Sequence, residues 1–234
     1  MYDWQKPFQH LLNLLFPNCC VYCKRSGSIL CSFCLTAILP LSPPFCDRCS
    51  GSLNQNGKCL RCTAPSFILH RLFVSSRYQE PLRRCIHALK YNRQRSLSQP
   101  LGHLLYQTYQ QRCIQADILI PVPLYPQREK QRGYNQALLL AEYCALFLQL
   151  PLQPQLLRRI RPTEAQVNLS GAERRVNVQG AFQASADASA HLLGKRVLLI
   201  DDVCTTGATL EACAKPLWLS GALEVNALVL ASPH

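Results

Sequence analysis

The residues best suited to chemistry are an acidic pair followed by a short polar loop. Asp201 and Asp202 follow an apolar run at 196–200 that predicts a buried parallel strand, and residues 210–221 predict a helix. The loop between them would offer backbone N–H groups at the positive end of a helix dipole, together with threonine hydroxyl groups. A phosphate group suits such a loop. Its residues are Thr205, Thr206, Gly207, Ala208 and Thr209.

The two carboxylates indicate what kind of phosphate ligand this would be. Asp201 and Asp202 would repel a phosphate, but they suit the hydroxyl groups of a ribose or a hydrated Mg²⁺. No lysine follows the loop glycine as in a Walker A loop, and the chain has no G-x-G-x-x-G segment. The pattern therefore favours a sugar phosphate over a nucleoside triphosphate. The plainer alternative is an ordinary strand–turn–helix corner.

Cysteine spacing predicts a second kind of site. Of the 14 cysteines, eight form four C-x-x-C pairs, and eight thiolates satisfy two tetrahedral Zn²⁺ sites with no position open for catalysis. We expect structural zinc, with sequential pairing as the first choice and cross-braced pairing left open. A thioredoxin-like redox role is disfavoured, and the later cysteines at 85, 113, 144, 204 and 213 are expected in the core. The predicted ligands are Cys20, Cys23, Cys31, Cys34, Cys46, Cys49, Cys59 and Cys62.

The net charge of +12 is unevenly distributed. Residues 71–178 carry 16 Lys and Arg against six acids, whereas residues 179–234 carry three against five. This excess predicts a polyanionic partner, the alternative being a basic surface that only keeps the protein soluble.

Basic and aromatic residues interleave between 82 and 95. Apolar residues recur at helical spacing in 82–89, which leaves the basic residues on the other faces. Single-stranded nucleic acid needs cations for its backbone and flat rings for stacking, although a solvated helix face would explain the same residues. The candidate nucleic-acid contacts are Arg83, Arg84, Lys90, Tyr91 and Arg93.

A second loop of interest follows a predicted strand at 117–123. It carries Arg128, Lys130 and Arg132 and leads into a predicted helix at 137–150, with Asn135 as a polar cap. Loops at the carboxyl ends of strands form the usual ligand edge of an open α/β sheet. The loop suits a diphosphate, with Arg132 as the favoured contact, unless it is simply a basic loop.

The sequence allows structural predictions for three further segments. The arginine-rich stretch 158–182 predicts either a lid over the site or a disordered excursion. The apolar run 11–16 is too short to cross a membrane and predicts a peripheral or core-packed helix. Pro216 should kink or shorten the last helix. We expect a cytoplasmic protein, with peripheral attachment at the inner membrane left open.

Together these motifs resemble the ComF (competence protein F, GntX-like) family. The resemblance runs along essentially the whole chain, through the C-x-x-C pairs, LKY at 89–91, PVPL at 121–124, RGYNQ at 132–136 and the segment 201–210. It implies an α/β fold of the type I phosphoribosyltransferase kind, in which helices flank a parallel sheet. A small Cys-rich zinc module would precede that sheet, with domains at 1–66 and 67–234.

The resemblance also implies a function. The family is linked to natural transformation and to single-stranded DNA entering the cytoplasm, so DNA-translocation machinery at the inner membrane becomes a candidate partner. The 205–209 loop would hold the 5-phosphate of 5-phosphoribosyl-1-pyrophosphate (PRPP), and the acidic pair would hold its ribose hydroxyls, with Mg²⁺ bound alongside. An active phosphoribosyltransferase with an unidentified acceptor is the alternative, and a scaffold without ligand is a third. The sequence identifies no catalytic residue.

Overall fold

The structure is a computed structural model that describes residues 18–59, 61–62, 67–162 and 176–233. The apolar run 11–16 lies outside the described residues, and so do residues 163–175 of the predicted lid segment.

In the described part of the chain, six strands form two sheets. The main sheet has the order β1-β6-β5-β2, and every neighbouring pair in it is parallel. The other two strands, β3 and β4, make a small antiparallel pair. The strands are β1 (Leu72–Arg77), β2 (Ile118–Pro121), β3 (Leu157–Arg159), β4 (Phe182–Ala184), β5 (Arg196–Val203) and β6 (Glu224–Ser232).

Helices connect and cover the strands of the main sheet. The described helices are α1 (Ser32–Thr36), α2 (Leu82–Tyr91), α3 (Ser98–Gln111), α4 (Pro126–Arg132), α5 (Gln136–Leu148), α6 (Ala188–Leu192) and α7 (Ala208–Leu219). Short 3₁₀ turns lie at Arg95–Leu97 and Pro154–Leu156. Within the described ranges, none of the helices combines the length and the apolar character needed to cross a membrane.

The core lies on both faces of the main sheet, because alternate residues of each strand point to opposite sides. On β5, Leu198 and Ile200 pack with residues of α2, α3 and α5, whereas Val197 and Leu199 pack with residues of α7. All four side chains are fully buried. A parallel sheet covered by helices on both faces, behind a Cys-rich module, confirms the predicted fold class.

Several element boundaries differ from the expectations. Strand β5 continues to Val203, paired there with Ala231 of β6, so the acidic pair lies within the strand and not beyond it. Strand β2 spans Ile118–Pro121, which is shorter than the predicted 117–123. Pro216 lies inside α7 but does not end it, since the N–H of Ser220 bonds back to the Pro216 carbonyl at 3.1 Å.

The Cys-rich module packs along β1, the edge strand of the main sheet. The N–H of Leu41 donates to the Ser75 carbonyl at 2.9 Å, and the N–H of Arg77 donates to the Leu39 carbonyl at 3.0 Å. These bonds cover backbone groups that an exposed edge strand would leave unpaired. The boundary after residue 66 remains a prediction.

Candidate ligand site, basic grooves and zinc centres

Eight thiols form two groups of four in the N-terminal module. In each group the sulfur atoms all lie within 4.8 Å of one another, and the grouping is sequential, not cross-braced. The Cys23–Cys31, Cys46–Cys62 and Cys49–Cys59 sulfur pairs lie 3.6, 3.4 and 3.3 Å apart. Zn–S bonds of about 2.3 Å in a tetrahedron place sulfur atoms about 3.8 Å apart, so both groups fit a zinc ion.

Backbone groups favour the thiolate form at one thiol of each group, whereas burial, with neighbouring thiols, raises the pKa of Cys34, Cys49 and Cys62. Burial raises the pKa of Cys20, but backbone N–H groups of Cys31, Cys23 and Tyr22 outweigh burial and bring it down to about 6. The same balance lowers the pKa of Cys59 to about 7. The chain therefore carries two four-cysteine sites of the structural kind.

The later cysteines are mostly core residues, as expected, with one exception. Cys85, Cys144, Cys204 and Cys213 are buried, but Cys113 is exposed. The prediction for Cys113 was wrong because that residue lies in the turn after α3, where its φ of 47° turns the chain away from the helix.

The acidic pair lies at the carboxyl end of β5 and is deeply buried. Asp201 is 9% and Asp202 is 2% exposed. One oxygen of Asp201 accepts the N–H of Asp202 at 2.8 Å, and one oxygen of Asp202 accepts the N–H of Val203 at 2.8 Å. Burial, followed by the neighbouring charge of Asp202, raises the pKa of Asp201 to about 8. This site therefore favours a ligand that brings hydroxyl groups or a cation to the pair.

Lys90 supplies the positive charge nearest to this pair. Its Nζ lies 2.7 Å from Oδ2 of Asp202, as an ion pair that lacks the alignment of a good hydrogen bond. Burial lowers the pKa of Lys90, but the charge of Asp202 outweighs burial and raises it. Lys90, predicted as a nucleic-acid contact, therefore lies against the acidic pair.

The loop after β5 has the geometry of an anion cradle. Gly207 has φ of +89°, a left-handed conformation that favours glycine, and α7 begins at the next residue. Within the described chain, the backbone N–H groups of Thr205 and Thr206 have no hydrogen-bond acceptor, whereas the N–H of Gly207 is directed at the Cys204 sulfur. Unpaired N–H groups at the start of a helix are what a phosphate binds.

Lys90 also lines a cleft of about 440 Å³. Arg132 at its edge donates to Oε1 of Gln136 and lies 5.4 Å from the centre of the Tyr91 ring. The expected helix cap is confirmed, since Oδ1 of Asn135 accepts the N–H of Ala137 at 2.9 Å. The cationic residues that line the cleft are Lys90, Arg93, Arg128, Arg132 and Arg159.

A larger groove of about 930 Å³ lies between α2 and the first zinc ribbon. Arg83 and Arg84 line it, and Glu80 pairs with both, at 3.0 and 4.0 Å. Lys90 and Tyr91 line this groove and the cleft alike. The two basic surfaces therefore meet at the end of α2.

The lining of the cleft differs in part from the residues singled out in the sequence. Lys130 is exposed and does not line the cleft. Arg159, from the arginine-rich stretch predicted as a lid, lines it, and so does Tyr125, which was not singled out because it stands in no recognisable motif. Arg61 was also missed, although it lies between two zinc ligands and donates to the Thr205 carbonyl.

Comparison with known proteins decides the family. Residues 11–63 match the double zinc ribbon domain. Competence protein F of Haemophilus influenzae is 33% identical over 224 residues, which cover 91% of this chain and 96% of that protein. The chain belongs to the competence protein F family.

Other members of the competence protein F family carry related names. DNA utilization protein YhgH of Salmonella typhimurium is 29% identical over 223 residues, covering 91% of this chain and 96% of that protein. Competence protein ComFC of Bacillus subtilis is 37% identical over 114 residues, covering 48% of this chain and 43% of that protein. Among solved structures, the glutamine PRPP amidotransferase from B. subtilis matches with a TM-score of 0.39 and 23% identity, over 58% of this chain and 26% of that one.

Proposed function

We propose that this protein handles single-stranded DNA entering the cell during natural transformation, and that it binds Mg²⁺ and PRPP at the acidic pair. The names of its relatives, competence protein F and DNA utilization protein, support the first half. One observation carries the combination: Lys90 and Tyr91 line both the groove and the cleft, and Lys90 is paired with Asp202.

The sugar-phosphate half rests on the loop and the acidic pair. The N–H groups and hydroxyls of Thr205, Thr206 and Thr209, with the backbone of Gly207 and Ala208, would hold the 5-phosphate. Asp201 and Asp202 would accept the ribose hydroxyls. The five cations that line the cleft are suited to the pyrophosphate, and the Arg132 guanidinium among them could bind it in two-point fashion. Mg²⁺ would neutralise part of the diphosphate charge.

The DNA half rests on the charge and aromatic character of α2. Arg83 and Arg84 point into the groove, and Arg93 lies beyond the helix end at the cleft. Tyr91 is 55% exposed, so a base could stack on the exposed part of its ring, beside the guanidinium of Arg132 and the ring of His87. Phosphates of a strand lying in the groove would reach the same end of α2 as the diphosphate of PRPP. The two ligands should therefore compete.

Binding of a labelled single-stranded oligonucleotide, measured by fluorescence anisotropy across a salt series, tests the DNA half. We expect affinity to fall steeply with salt, since Lys and Arg displace counterions from the strand. The variant Arg83→Gln/Arg84→Gln should reduce both the affinity and the salt slope. Tyr91→Ala should weaken binding by about 1–3 kcal/mol at any salt concentration.

The matched control is Lys215→Gln. Lys215 is exposed on α7, which packs on the opposite face of the sheet, so its loss should leave DNA affinity unchanged. Absence of binding at low salt contradicts the DNA half of the proposal. Equal losses in Lys215→Gln and in the Arg83/Arg84 variant would contradict the assignment to the groove, because they would show a general effect of charge.

An active phosphoribosyltransferase is the second candidate, favoured by the aromatic lining of the cleft. Tyr91 and Tyr125 both line the cleft, where a flat acceptor could stack, and Lys90 links this cleft to the acidic pair. In that reaction an acceptor forms a bond to C1 of PRPP, the bond from C1 to the pyrophosphate oxygen breaks, and the departing pyrophosphate retains the electron pair. Pyrophosphate release that depends on an added nucleobase would favour this function, and binding of PRPP without release would disfavour it.

A further inference from the structure

Arg61 connects the second zinc ribbon to the phosphate loop. It lies between the zinc ligands Cys59 and Cys62, and its Nη2 donates to the backbone carbonyl of Thr205. The same nitrogen lies 3.2 Å from Oγ of Ser232 at the end of β6. One guanidinium thus connects the second metal site, the first residue of the loop and the carboxyl end of the central strand β6.

The bond to Thr205 orients the peptide group that follows it. The peptide between Thr205 and Thr206 is trans, so its carbonyl and its N–H point in opposite directions. With the carbonyl directed at Arg61, the N–H of Thr206 faces away from the ribbon. That N–H has no acceptor in the described part of the chain and is one of the groups assigned to the phosphate.

The second terminal nitrogen of the guanidinium is buried without a hydrogen-bond partner. This nitrogen, Nη1 of Arg61, is inaccessible to solvent and has no acceptor among the described residues. An unpaired charged donor is costly to bury, and an anion in the adjacent loop would offset part of that cost. Burial raises the pKa of the thiol of Cys204, one residue before the loop, to about 11, and the charge of Arg61 acts in the opposite direction.

We infer that Arg61 is a positioning residue of the phosphate loop, through which the second zinc ribbon holds the loop in its anion-binding conformation. This inference rests on the proposed sugar-phosphate site and adds its regulation. Zinc at the second ribbon fixes Arg61, Arg61 fixes the Thr205 peptide, and the loop is then ready for the 5-phosphate. Loss of the second zinc would therefore weaken ligand binding some distance away.

Arg48 offers a control within the same ribbon. It occupies the same position in its own C-x-R-C segment, between Cys46 and Cys49. Its guanidinium donates to the carbonyls of Cys62, Phe67 and Leu69, and not to the loop. A variant at Arg48 therefore reports how far damage to the ribbon alone affects the site.

The test compares Arg61→Met, Arg61→Lys and Arg48→Met in the full chain with zinc bound, by calorimetry with three probes. We expect Arg61→Met to weaken Mg·PRPP and ribose 5-phosphate by about tenfold each, and to leave inorganic pyrophosphate unchanged. The affinity of Arg61→Lys for these two ligands should lie between those of Arg61→Met and the wild type, and the affinity of Arg48→Met should equal that of the wild type. Hydrogen exchange should accelerate at residues 204–210 in Arg61→Met only.

Three outcomes overturn the inference. The first is that Arg61→Met binds Mg·PRPP and ribose 5-phosphate with wild-type affinity. The second is that Arg48→Met and Arg61→Met lose equal affinity for these two ligands. The third is that Arg61→Met loses as much affinity for pyrophosphate as for the other two probes. If the wild type binds neither Mg·PRPP nor ribose 5-phosphate, the proposed sugar-phosphate site itself fails, which is a distinguishable result. If Arg61→Met loses zinc, the affinity of Arg61→Lys and its hydrogen exchange at residues 204–210 still test the inference.

Discussion

Nζ of Lys90 lies 2.7 Å from Oδ2 of Asp202, with Lys90 in the last turn of α2 and Asp202 near the carboxyl end of β5. The contact joins the helix that borders the basic groove to the acidic pair of the candidate sugar-phosphate site. Their side chains are 22% and 3% exposed, so neither charge is well solvated. Each site is therefore sensitive to what happens in the other.

Removing the lysine should destabilise the fold. Lys90→Met leaves the Asp202 carboxylate buried without its counter-ion, which typically costs about 3–5 kcal/mol. Thermal or urea unfolding measures this, with Lys215→Met as the exposed control. Combining Lys90→Met with Asp202→Asn should cost less than the sum of the two single variants, because neither charge is then left unpaired. A strictly additive double variant would contradict the coupling.

Asp202→Asn should abolish Mg·PRPP binding and leave the fold intact. The amide retains the size of the carboxylate but removes the negative charge that favours the ribose hydroxyls and Mg²⁺. Isothermal calorimetry measures the affinity, and a thermal melt verifies folding. Asp187→Asn, at an exposed carboxylate next to α6, is the control and should bind normally. Unchanged affinity in Asp202→Asn would refute the ligand assignment.

Binding of Mg·PRPP should strengthen as the pH rises. Burial, with the charge of Asp202 second, raises the pKa of Asp201 to about 8, so the free protein holds a proton there at neutral pH. A ligand that prefers the ionised pair must displace that proton, so affinity should rise about tenfold between about pH 7 and pH 9. Calorimetry in two buffers of different ionisation enthalpy should show about one proton released. A flat profile without proton release would contradict this.

Removing zinc should unfold the Cys-rich module and lower the stability of the whole chain. Metal binding supplies folding free energy to ribbons of this kind, and Oγ of Ser50 donates to the Leu72 carbonyl at 3.0 Å, which links the module to β1. Metal analysis, thermal melts and limited proteolysis before and after chelation measure the effect. Cys31→Ser should hold one zinc ion, and Cys19→Ser should hold two. An unchanged melt after verified zinc loss would contradict a structural role.

The main elements of the fold were predictable because their signals are local. The apolar run before Asp201 and the heptad-like spacing in α2 each indicate an element without reference to the rest of the chain. Their ends were less accurate, as with β5, which runs on to Val203 because pairing with Ala231 of β6 continues past the acidic pair. Pairing between strands that are distant in the sequence cannot be predicted from the local pattern of apolar residues.

The site shows the same division. The acidic pair, the threonine loop and the sequential cysteine grouping stand in contiguous motifs, so sequence spacing was sufficient to propose them. The contact of Lys90 with Asp202 joins residues 112 positions apart, and that of Arg61 with Thr205 joins residues 144 positions apart. Such contacts depend on how the elements pack, which a single sequence does not reveal.

The most direct test of the account is the affinity for a labelled single-stranded oligonucleotide with and without saturating Mg·PRPP at constant ionic strength. Because Lys90 and Tyr91 belong to both surfaces, we predict that Mg·PRPP weakens DNA binding, and that DNA weakens Mg·PRPP binding by the same factor. Lys215→Gln should show the same coupling as the wild type. Binding of both ligands with no effect of one on the other would contradict the shared site.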